Sequence, residues 1–232
     1  MKKLLEQIRL NPERYGDELW VCRRAGDVLE LSVKPDHIKE PENYRNGVIH
    51  IGRMIQAAEE YAEKSSRLAD IHTFPSFEQS DLVAMIRFRK KIADQPSDNG
   101  LAQADSSKVT MATLLKSIAS HQGFFLHPHN GNNTNRLDEL MKAVLPDGAK
   151  GGRYYSLCTT LDNPFVWLRT GRWIEKVVQI IEENPSIPPP PFTYQINRDS
   201  RTTLNTEFSD CPYVQVITCL KPEKVLVNFS AK

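Results

Sequence analysis

The chain has 232 residues, of which 40% are hydrophobic and 25% charged; this is a globular balance and excludes a low-complexity or fibrous protein. Its 30 basic and 29 acidic residues leave a net charge of +1, so electrostatics give no reason to expect a nucleic acid or an anionic membrane as partner. No apolar run approaches the roughly 20 residues that cross a bilayer.

The start, "MKKLLEQIRL", predicts a short amphipathic helix with Leu4, Leu5 and Ile8 on one face. It turns polar at once, unlike a secretory signal. "LWVCRRAGDVLELSV" predicts a β-hairpin turning around Ala25-Gly26-Asp27, with Leu29, Leu31 and Val33 alternating after it and Arg23 and Arg24 facing water. "KPDHIKEPENYRNG" reads as a polar connection. "VIHIGRMIQAAEEYAEKS" then predicts a helix with Val48, Ile51, Ile55, Ala58 and Ala62 on one side. Gly52 inside that helix costs about 1 kcal/mol against alanine, which points to close packing on a neighbour.

"RLADIHTFP" predicts a strand, and "SFEQSDLVAMIRFRKKI" a helix, or a strand followed by one. Residues 94–108, "DQPSDNGLAQADSSK", are a mobile loop by composition. "VTMATLLKSIASHQG" predicts a helix stopped by Gly123, "LHPHNGNNTN" a loop and "RLDELMKAVLPDG" a short helix. "RYYSLCTTL" predicts a buried strand. "DNPFVWLRTGRWIEKVVQIIEE" predicts a helix with a stripe of Phe165, Leu168, Ile174, Val177, Val178 and Ile181, capped by Asp162 and opened by Pro164. The prolines near 185–192 impose an extended connection, and "PYVQVIT" and "KVLVNF" predict closing strands. No internal repeat is visible. Helices and strands mix along a single 1–232 domain, so the predicted class is α+β.

Several side chains invite a chemical reading. His121, His127 and His129 fall within nine residues, but no adjacent cysteine or carboxylate completes a metal set except Asp138 and Glu139 at longer range; solvent-facing loop histidines fit better. "DGAKGGRYY" precedes a strand rather than a helix, the wrong order for a phosphate loop, and reads as a turn. There is no GxSxG elbow for a hydrolase. The cysteines, Cys22, Cys158, Cys211 and Cys219, show no CxxC and read as reduced residues of a cytoplasmic protein. Trp167 and Trp173, six residues apart, lie on different helix faces. One is expected in the core; the other, with Arg169 or Arg172, lines an interface or a pocket wall.

Read in order, these segments resemble the nitroreductase-like flavoprotein family, most nearly its mycobacterial dormancy-associated branch. "LLEQIRLNPERYGDELW", "VLELSV" and "KPDH" are similar to its opening helix, tryptophan-led strand and hairpin strand. "YRNGVIHIGRMIQAAEEYA" is similar to its "GRE…GAAL.NL…A" helix, and "DIHTFP" to the strand after it. "TTLDNPFVWLRTGRWIEKV" is similar to "D.P..WLRAGRALERV", and "CPYVQVITCL" to a terminal strand. The resemblance implies a mostly antiparallel sheet flanked by helices, a homodimer, FMN as cofactor, and NAD(P)H as the donor for a nitro or quinone-type small-molecule acceptor. It implies cofactor contacts at Arg14, Trp20, His121, Arg172 and Lys221; no catalytic acid or base and no metal ligand is assigned. Two segments depart from the family pattern. "YGDEL" puts Asp17 and Glu18 where a polar stretch is usual, and "SHQGFFLHPH" replaces an arginine-rich segment suited to phosphate. Those departures carry the alternative: a catalytically degenerate flavin-binding, ligand-sequestering or interaction protein. The aromatics and arginines of the helix in the 162–183 stretch suggest, as a hypothesis, that it joins two subunits. A chromatographic mass of 26.5 kDa, a monomer, removes that hypothesis.

Overall fold

The computed structural model describes residues 6, 15, 18–76, 78–91, 110–129, 134–142, 152–184, 190–196, 200–202, 204 and 212–220. The expected helix at 1–10, the loop at 94–108 and the strand "KVLVNF" lie outside the described residues, as does most of the proline-rich connection. Two compact units emerge. The first comprises Met1–Ser97 and Asn163–Glu175, the second Asp98–Asp162 and Lys176–Lys232.

The first unit begins with the predicted hairpin, β1 (Trp20–Ala25) and β2 (Val28–Val33), paired Ala25 to Val28. Gly26 leads the two-residue turn at φ +64°, a conformation glycine adopts without a Cβ clash. Arg23 and Arg24 are exposed, as expected. A single turn, α1 (Pro35–Ile38), follows. Helix α2 (Pro41–Lys64) starts seven residues before the predicted Val48, because Pro41 sits at its opening, where a missing N–H is harmless. β3 (Arg67–Thr73) forms as predicted, and the ambiguous "LVAMIRFRK" is β4 (Leu82–Lys90), hydrogen-bonded to both β2 and β3. The sheet runs β1-β2-β4-β3, antiparallel throughout. Leu29, Leu31, Val33, Ala84 and Ile86 meet Val48, Ile51 and Ile55 of α2 in the core. Burying such side chains stabilises by about 1.5–3 kcal/mol each.

The second unit opens with α3 (Met111–His121), capped by the Thr110 hydroxyl, which accepts from Thr113 N, and stopped at Gly123 with φ +73°. "FLHP", expected as loop, is strand β5 (Phe125–Pro128), because its backbone pairs with Cys158 to Tyr155 of the next strand. α4 (Thr134–Met141), β6 (Arg153–Thr159), α5 (Pro164–Glu182, of which the first unit takes the residues up to Glu175), the short β7 (Phe192–Thr193) and β8 (Tyr213–Leu220) complete the order. The second sheet runs β5-β6-β8-β7, also antiparallel. Leu137, Met141, Tyr154, Cys158, Val214 and Ile217 pack in its core.

Numbered within each unit, both sheets run first-second-fourth-third, with a long helix between the second and third strands. The same arrangement occurs twice in a chain whose sequence shows no visible repeat. The echo is brief: "IHIGRMIQ" at 49–56 in α2 and "LRTGRWIE" at 168–175 in α5 share an aliphatic residue, then Gly-Arg, then Ile and a Gln/Glu.

Two expectations for α5, and one for the cysteines, are corrected. Asn163, not Asp162, caps it: the Asn163 side-chain oxygen accepts from Val166 N at 3.0 Å. Asp162 instead accepts from Arg201 at 2.9 Å and from Gln215 at 3.2 Å. Phe165 is 58% exposed rather than part of the buried stripe, its ring edge-on to Phe74 at 4.6 Å. The cysteines are not all reduced. Cys158 is disulfide-bonded, whereas Cys22 and Cys219 are free thiols and Cys211 lies outside the described residues.

Candidate functional site

Within the first unit, α2 and the opening half of α5 cross at Gly52 and Gly171. A Cβ on Gly52 would overlap the Leu168 carbonyl oxygen and lie 3.1 Å from Gly171 Cα. A Cβ on Gly171 would overlap the Ile49 carbonyl oxygen and lie 2.9 Å from Gly52 Cα. Each glycine therefore faces the carbonyl three residues before the other. The expectation of close packing at Gly52 holds. Of the α5 stripe, Leu168 packs in the first core with Ile51 and Ile55 of α2.

Charged side chains flank the crossing. The Arg53 Nε donates to Glu175 Oε2 at 3.2 Å, and the Tyr15 hydroxyl donates to Glu175 Oε1 at 3.1 Å. Glu175 is fully buried, and the Arg53 guanidinium also lies 5.9 Å from the Tyr15 ring centroid. The Tyr15 carbonyl accepts from Trp20 Nε1 at 2.5 Å. Arg172 Nη2 donates to both oxygens of Glu59, at 2.9 and 2.7 Å, in a half-exposed pair. Two residues before Gly52, burial and the Arg53 charge push the His50 imidazole down to about 3, so it is neutral at pH 7.

Two of the candidate cofactor residues, Trp20 and Arg172, lie in the first unit and are engaged there. Trp20 is 3% exposed and packs in the first core. Arg172 is held by Glu59. His121 ends α3 in the second unit and is exposed. Arg14 and Lys221 lie outside the described residues. Trp20 and Arg172 each make their contacts within the chain, and no chemical step is derived through FMN. Of the two tryptophans, Trp173 is fully buried, as expected of one of them, and Trp167 is half-buried, edge-on to Tyr44 at 6.2 Å.

In the second unit, His129 is buried rather than solvent-facing. Its Nε2 shares a 2.7 Å hydrogen bond with Ser156 Oγ, and its ring lies 5.1 Å from that of His127. Burial, then the neighbouring His127, push it down to about 4. Asp138, the longer-range candidate ligand, accepts from the Tyr154 hydroxyl. Among the described residues no three His, Cys, Asp or Glu side chains are grouped to hold a metal. Ser156 is fully buried, so this Ser–His contact is packed against the sheet rather than open to a substrate.

A groove of about 180 Å³ lies on the first sheet, lined by Val28, Asp70, His72, Met85 and Arg87. Its charges are paired: Arg87 with Asp27 at 3.1 Å, and Asp70 with Arg89 at 2.5 Å and His72 at 3.5 Å. Among the described residues no helix is long and apolar enough to cross a membrane.

No family model matches this chain, and no curated protein does. Tyr15, Arg53, Glu59 and Glu175 were not singled out from the sequence. The signal that could have found the arginines is the "GRMIQ" and "GRWIE" echo, which places one arginine immediately after each crossing glycine.

Proposed function

We propose that the chain is a nitroreductase-like scaffold in a catalytically degenerate form, one that binds a flavin or another small ligand without efficient turnover. The observation that carries the scaffold reading is the meeting of two distant segments. "GVIHIGRMIQAAEEYA" and "DNPFVWLRTGRWIEKV" each resemble a helix of that family, and these two helices cross at Gly52 and Gly171. A chance likeness of two separate segments gives no reason for them to pack glycine on glycine. The degenerate form is favoured because, within the first unit, Trp20 is in the core and Arg172 is paired with Glu59. The reading requires no cytoplasmic location; a disulfide such as that of Cys158 persists best in oxidising compartments.

The test is a spectroscopic titration of the purified chain with FMN, followed by NAD(P)H and a quinone acceptor. Uptake of FMN with slow NAD(P)H oxidation supports the proposal. Rapid, acceptor-dependent oxidation replaces it with the active flavin oxidoreductase. Absence of any uptake removes the flavin from either version.

A further inference from the structure

We propose that Arg53 and Arg172 form a reciprocal clasp across the Gly52–Gly171 crossing, and that neither arginine holds an anionic cofactor. The clasp stands on geometry alone. It rests on the proposed function only in the choice of FMN as the anion to test.

Two glycines at a helix crossing bring backbone against backbone. Closeness is gained, but the interlocking side chains that ordinarily fix a crossing angle are missing at that point. The groups just beyond it are placed to supply the constraint. Each arginine immediately follows a crossing glycine in its own helix, and each reaches a carboxylate on the other helix. Arg53 of α2 donates to Glu175 of α5, and Arg172 of α5 donates to Glu59 of α2. The two pairs therefore run in opposite senses between the same two helices.

The carboxylates are well satisfied. Glu175 accepts from Arg53 on one oxygen and Tyr15 on the other, and both Glu59 oxygens accept from Arg172. A phosphate approaching either arginine meets a guanidinium whose charge a carboxylate of the chain already balances. Drawing Arg53 away from Glu175, which is fully buried, would leave that carboxylate without its cation inside the protein. The arginines of "GRMIQ" and "GRWIE" thus answer a demand of packing.

The test combines a double-mutant cycle with ligand titration. Urea midpoints are measured for Arg172→Gln, Glu59→Gln and the double variant, and FMN is titrated into each and into the wild type by fluorescence quenching. The clasp predicts that both single variants are destabilised and that the double is no less stable than the worse single. It also predicts the same FMN response for Arg172→Gln as for the wild type, whether that response is uptake or none. Additive losses in the cycle overturn the clasp. So does a fall in FMN affinity of about tenfold or more in Arg172→Gln at an unchanged urea midpoint. A wild type that takes up no FMN sinks the flavin reading, and the cycle then judges the clasp alone.

Discussion

Gly52 and Gly171 face each other so closely that a Cβ on either would stand about 3 Å from the other's Cα and overlap a main-chain carbonyl. Main chain cannot swing aside as a flexible side chain can. Gly171→Ala and Gly52→Ala should each force the helices apart and cost about 3 kcal/mol, the upper range for overpacking. Urea denaturation measures this. A loss below about 0.5 kcal/mol, within ordinary surface variation, would show that the helices are not in this contact.

Much of this crossing was legible in sequence from one side only. Gly52 announced a close neighbour because a mid-helix glycine is costly without one, yet nothing local could name Gly171 as that neighbour. Periodicity found α5 to within a residue, but it placed Phe165 in the stripe because spacing reports a face and not where the neighbouring helix ends. β5 was missed for a related reason. "FLHP" has no alternation, and its strand character comes from pairing with β6, a partner some thirty residues away. The duplicated strand order was invisible because topology repeats where side chains do not. The candidate cofactor set, carried by resemblance, included Arg172 but could not see Glu59 as its partner.

The two arms of the clasp should differ in strength. Glu175→Gln leaves Arg53 buried without its counter-charge, and an unpaired buried charge costs about 3–5 kcal/mol. Glu59→Gln opens a half-exposed pair, for which about 1 kcal/mol or less is expected. Equal losses in the two variants, read by chemical denaturation, would contradict the burial difference.

Along α5, position should outweigh size. Leu168 is buried against the first core, so Leu168→Ala should cost about 2–5 kcal/mol. Phe165 is larger but mostly in water, and Phe165→Ala should cost about 1 kcal/mol or less. Thermal unfolding of the two variants orders them, and a larger loss at Phe165 would restore it to the stripe.

The buried histidines give stability a defined pH dependence. His50 and His129 have folded values near 3 and near 4, below the usual value of 6.5. Between 6.5 and those values the unfolded chain binds protons that the folded chain does not, so the sign is destabilising as pH falls. Stability from these groups is fully present above pH 6.5 and declines as pH drops toward 4 and then 3. Each histidine contributes at most roughly 1.4 kcal/mol per pH unit. His50→Gln should flatten the wild-type slope between pH 6.5 and 4, measured by urea midpoints. An unchanged slope would mean that His50 titrates as in water.

Cysteine chemistry separates the folded chain from the fully reduced one expected of it. Cys22 and Cys219 are free, and Cys158 is disulfide-bonded in the core of the second unit. Oxidised protein unfolded in guanidinium without reductant should expose fewer than four thiols to a colorimetric thiol reagent, and all four after reduction. Reduction should also lower stability by about 2–4 kcal/mol in typical cases, because a cross-link restricts the unfolded chain, and this is read as a lower thermal midpoint. Cys22 is half-buried and Cys219 buried, so in the native state Cys22 should react first. Four reactive thiols before reduction would mean that Cys158 carries no disulfide, and would return this protein to the reducing compartments that its spread, motif-free cysteines suggest.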